Sequence, residues 1–67
     1  MPDVKYPQVT VQLIGTDGNA FSIMGLVNRA MYRAGLTAEQ VTEYMDEATA
    51  GDYDHLLQTT MRYVDVA

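Results

Sequence analysis

"RAMYRAGLTAEQVTEYM", Arg29 to Met45, decides how this chain folds. Gly35 falls where a helix ends in the left-handed conformation, and Thr37 with Gln40 three residues on reads as a capping box that opens a second helix. Two helices therefore meet at a short break. Behind the break, Asn19 is a cap for a helix starting at Ala20. On a wheel of about 100° per residue, Ile23, Met24, Val27, Ala30, Met31 and Ala34 share one face, with Leu26 at its margin and Ser22, Arg29 and Arg33 opposite. A second stripe of Phe21, Gly25 and Tyr32 predicts a central helix that is apolar on more than one side, with Gly25 admitting a neighbouring backbone.

Ahead of the break, helix 2 is expected over 38–48, with Val41, Tyr44, Met45 and Ala48 inward and Glu39, Glu43, Asp46 and Glu47 outward. "TAGD" interrupts the chain again, and Asp52 is placed to cap helix 3. Its apolar arc reads Tyr53, Leu56, Leu57, Thr60 and Met61, which sends His55 into water with Gln58, Thr59 and Arg62 beside it. At the chain ends, "QVTVQLI" alternates Val9, Val11 and Leu13 with polar residues, and "YVDVA" alternates once more, so both predict half-buried strands. Residues 1–7, with Pro2 and Pro7, are expected to be irregular. The sum is one domain over 1–67 of α+β class: three helices packed on a small two-stranded sheet made by the N- and C-terminal strands, in the order β-α-α-α-β. Base rates favour an antiparallel pair.

The chain has 67 residues, 48% of them apolar, which is too many for a disordered acidic tail. With no cysteine, disulfides and thiolate metal sites are excluded, and packing within the chain or against a partner must hold the domain. A cytoplasmic setting, without signal peptide or membrane span, is expected from the N-terminal sequence and the missing cysteines. Nine acidic against four basic residues leave a net charge of −5, which repels phosphate backbones and anionic lipid.

Familiar activities find little support. "GDYDHLL", Gly51 to Leu57, reads as a helix start, since Asp52 and Asp54 suit the positive end of a helix and no nucleophile or second histidine completes a site around His55. As a calcium loop it lacks the later glycine and glutamate. "GTDGNA" between strand and helix has glycines but no phosphate-binding lysine, and Asp17 adds negative charge, so turn chemistry is the reading. The pair of helices about Gly35 has the outline of a helix-turn-helix, but helix 2 would aim four carboxylates at phosphate. Met24, Met31, Met45 and Met61 are expected as core filling. Two strands leave two open edges, which accept a strand from a partner or a second copy, and Tyr6, Tyr44 and Tyr63 could join such an interface.

"DGNAFSI" and "GDYDHLLQT" are similar to stretches of a group of small uncharacterised bacterial and phage proteins. The resemblance covers about Val9 to Val66 and implies a free-standing prokaryotic protein with no established activity, so no site residue is carried over. The expected function is a non-enzymatic protein-binding or self-associating accessory module without cofactor, metal or small-molecule substrate. Glu39, Glu43, Asp46 and Glu47 are its candidate partner-binding residues, with His55, Arg29 and Arg33 as further candidates. The alternative is a small nucleic-acid-associated regulator using helices 1 and 2.

Overall fold

The computed structural model describes residues 4–13 and 18–67. Its elements run β1 (Tyr6–Val11), α1 (Ala20–Arg33), α2 (Ala38–Ala48), α3 (Tyr53–Tyr63) and β2 (Val64–Val66), an α+β arrangement in which the two strands form one sheet. The expected helix limits are the observed ones because local caps set them. Asn19 accepts a hydrogen bond from Phe21 N–H at 2.8 Å. Gly35, at φ +88°, ends α1 in a Schellman motif, in which Leu36 N–H donates to Met31 C=O at 3.1 Å and Gly35 N–H to Tyr32 C=O at 3.0 Å. Thr37 and Gln40 close both bonds of the capping box on α2, and Asp52 accepts from His55 N–H at 2.9 Å on α3. The first half of the "GTDGNA" turn, residues 15–17, lies outside the described residues.

The strands correct the sequence reading twice. They pair parallel, with Tyr6 opposite Val64, Thr10 opposite Asp65 and Val11 opposite Val66. The antiparallel base rate is dominated by strands joined through short turns, whereas these are joined through all three helices, the long crossover that a parallel pair needs. Moreover, β1 begins at Tyr6, takes in Pro7 and stops at Val11, short of Leu13. An irregularity in register between Tyr6 and Thr10 accommodates a proline that cannot donate to a ladder. It also shifts the phase of the strand. Tyr6, Val9 and Val11 all face the core, a spacing of three and then two that a regular strand cannot give.

The core gathers those three residues with Ile23, Met24, Val27 and Met31 of α1, Val41, Tyr44 and Ala48 of α2, Leu56 of α3, and Val64. Tyr44 is wholly buried, and its hydroxyl lies 2.7 Å from Thr60 Oγ1, which itself donates to Leu56 C=O at 2.9 Å. Because the single Thr60 proton is spent on that carbonyl, Tyr44 is the donor. The ring also meets Tyr63 edge-on at 5.5 Å, and Tyr63 meets Tyr6 at 6.2 Å. Tyr6 and Tyr44 are thus core residues and Tyr63 is half-buried, so this trio does not form the exposed interface the sequence suggested.

Two wheel assignments also fail. In α3 the buried residues are Leu56, Thr59 and Thr60, while Tyr53 and Met61 are exposed. Hydropathy set Thr59 outward, but a threonine hydroxyl can be satisfied locally, and the Tyr44 bond fixes the face that Thr60 turns in. In α1 the second stripe is exposed, Phe21 by 81%, and nothing lies within 4 Å of a Cβ built on Gly25. So α1 lies against the domain on one side only, and Gly25 admits no neighbour. Of the internal methionines, Met24 and Met31 fill the core, Met45 is half-buried and Met61 is exposed.

Gly25→Ala is therefore expected to stabilise the chain by about 0.5–1 kcal/mol, the helix-propensity difference, measured by urea unfolding. A loss of stability would mean that α1 is covered. Tyr44→Phe removes one buried hydrogen bond and is expected to cost about 1 kcal/mol. Burial raises the Tyr44 phenol pKa above its usual 10.0. A group whose pKa is raised on folding contributes stability below its unfolded value and loses it as pH rises through the folded one. The wild type should thus lose stability as pH rises above 10.0, and Tyr44→Phe should lose less.

Candidate functional site

Three surfaces hold the residues singled out from sequence. The first is the outer face of α2, where Glu39, Glu43, Asp46 and Glu47 are all exposed. Two of the four are engaged within the chain. Glu43 pairs with Lys5, ahead of β1, and accepts from Tyr63 Oη at 3.3 Å. The hydrogen bond from Lys5 lowers the Glu43 pKa, and its counterpart raises that of Lys5. The Lys5 ammonium also lies 5.3 Å from the Tyr63 ring centre, a cation–π contact that ties the start of β1 to α2 and α3. Glu47 Oε1 lies 3.8 Å from both Arg62 Nη2 and His55 Nε2. Of the four, Glu39 and Asp46 keep carboxylates without a partner among the described residues.

The second surface is the joint between α2 and α3. The imidazole of His55 is not in open water as the wheel placed it; its side chain is 31% exposed, and Nε2 lies 2.9 Å from the Glu47 carbonyl oxygen. A carbonyl only accepts, so Nε2 carries the proton. His55 thereby adds a second donor to a carbonyl in the last turn of α2 that also accepts from Ala50 N–H at 3.2 Å. Gly51 leaves room for the ring, since a Cβ there would stand 2.8 Å from His55 Cβ and Cγ. "GDYDHLL" is thus a helix joint in which Asp52 caps one helix at its start and His55 caps the other at its end. Among the described residues, no group of three or more His, Asp or Glu is placed to hold a metal ion.

The third surface was not read from sequence. A groove of about 480 Å³ runs between β1 and α1, bordered by Gln8 to Gln12 in unbroken succession and by Leu26, Arg29, Ala30, Arg33 and Ala34. A strand lines a cavity with inward and outward residues alike only where its edge forms the wall. That edge is free. Ala67 N–H donates to Val11 C=O at 2.8 Å, so Val11 turns its backbone groups to β2. Successive strand residues turn theirs to opposite sides. The N–H and C=O of Thr10 therefore face the groove, where no further strand lies among the described residues. Arg29 and Arg33 are exposed on the other wall, and neither has an ion-pair partner among the described residues. In the sequence, the open strand edges and the two arginines four residues apart stand as separate features, with nothing to join them.

Comparison with known families, with curated proteins and with solved structures finds no match to this chain. No helix among the described residues is long and apolar enough to cross a membrane.

Gly51→Ala is expected to destabilise by about 1–2 kcal/mol by crowding His55, and His55→Ala by about 0.5–1 kcal/mol through the loss of one hydrogen bond between α2 and α3. In the double variant the contacts with Cγ and Cδ2 disappear and only the one with Cβ remains, so its cost should fall below the sum of the two by about 1 kcal/mol. A double-mutant cycle in urea checks this, and additive costs would mean that ring and glycine do not touch.

Proposed function

We propose that this chain is a non-enzymatic protein-binding module that takes an extended segment of its partner on the free edge of β1. The observation that supports the reading is the groove itself, in which unpaired backbone groups of Thr10 face a helix wall across an open space. An unpaired edge offers main-chain hydrogen bonds to any extended chain, and alternate side chains of that chain supply specificity. Proteins that avoid such pairing blunt their edges with charge or proline. Here Pro7 stands only at the start of β1, and Gln8, Thr10 and Gln12 are neutral. The acidic face of α2 is the weaker candidate, because Glu43 and Glu47 already serve contacts within the domain. A prokaryotic cytoplasmic setting remains part of this reading, on the strength of the composition and the resemblance.

Thr10→Pro separates edge binding from everything else, because it removes an N–H that β2 does not use. Affinity capture from a bacterial lysate is expected to retain partners with the wild type and to lose them with Thr10→Pro, while light scattering finds the wild type monomeric. Retention of the same proteins by both forms would refute the edge reading. A duplex DNA shift at about 50 mM salt, where electrostatic affinity is high, would instead favour the nucleic-acid alternative.

A further inference from the structure

We infer that the segment taken by the β1 edge is acidic, with carboxylates at alternate positions of an extended strand, held by Arg29 and Arg33. This rests on the edge reading above and adds the chemistry of the partner. The two arginines stand four residues apart on α1, which sets them about 6 Å apart along the helix. Alternate residues of a strand repeat at about 6.6 Å and point to the same side. A strand lying beside β1 thus brings every second side chain over the α1 wall in step with the arginines. Ala30 and Ala34 leave space for those side chains to reach across. The two walls match in length as well, since both Gln8 to Gln12 and Leu26 to Ala34 span about 12–13 Å at the ordinary rise of strand and helix.

Charge points the same way. Two cations at i and i+4 repel, and no carboxylate among the described residues lines the groove to relieve them. Neither has another use among the described residues. The chain carries an excess of negative charge, −5 overall, so an acidic peptide gains little from long-range attraction outside this basic pair. The same charge pattern disfavours a second copy as occupant. A symmetric pairing of groove with groove brings four arginines into one interface without a counter-charge.

Short capped threonine-rich peptides carrying Glu, Gln or Lys at two alternate positions test this by NMR titration of the whole chain. The Glu peptide is expected to move the amide signals of Gln8 to Gln12 and to bind about three- to tenfold tighter than the Gln peptide, the gain from two exposed ion pairs. The Lys peptide should bind more weakly than either. In the Arg29→Ala, Arg33→Ala double variant the Glu and Gln peptides should become equal. Thr10→Pro should abolish binding of all three, and if that variant proves misfolded by circular dichroism, N-methylation of alternate peptide amides removes the same bonds from the other side. Equal binding of Glu and Gln peptides by the wild type at the β1 amides would overturn the acidic preference and leave the edge reading standing. Failure of every peptide to move those amides would overturn both.

Discussion

The hydrogen bond from Tyr44 to Thr60 governs the rest of the domain. Both side chains are without exposed surface, and a phenol buried without a partner would be costly, so α3 must turn Thr60 toward α2. That rotation has consequences along the whole helix. It draws Thr59 inward, leaves Tyr53 and Met61 in water, and carries the first turn of α3 to where His55 meets the last turn of α2. At the other end, it brings Tyr63 edge-on to Tyr44 and within reach of Tyr6, so β2 leaves the helix already beside β1. One polar pair inside an apolar core thus sets the phase of a helix and the approach of a strand.

A second constraint is the irregularity in β1. Without it, Pro7 would break a ladder bond and the alternation would turn either Tyr6 or the two valines to solvent. With it, all three reach the core, and the strand presents its other edge to the flank of α1. The surface beside that edge is where the charge of the molecule is least balanced. Lys5, His55 and Arg62 are each met by a carboxylate of α2, whereas Arg29 and Arg33 are met by none among the described residues. Acidic residues that looked like a binding face from sequence act partly as fasteners between elements, and the basic pair that looked like ordinary solvated surface stands beside unpaired backbone.

Much of this was legible in advance. Asn19, Gly35, Thr37, Gln40 and Asp52 mark helix ends through bonds to residues a few positions away, so each helix limit follows from a short stretch of sequence. The inward face of α2 was equally plain, because Val41, Tyr44 and Ala48 are apolar and the remaining residues mostly charged. The candidate site was legible only in fragments. Arg29, Arg33 and an open strand edge could be named separately, but nothing local brings residues of β1 and α1 to opposite walls of one groove.

By itself, then, the sequence determined the class of the fold, the order of its elements, the ends of its helices and its acidity, since all of these depend on composition or on neighbours within a turn. Tertiary structure alone decided the parallel pairing, the irregularity between Tyr6 and Thr10, the inward turn of Thr59, the capping role of His55 and the exposure of Phe21. Each of those depends on a contact between residues far apart in the chain, where hydropathy ranks a threonine as polar and a phenylalanine as apolar whatever stands opposite. Only packing settles which of them has a partner.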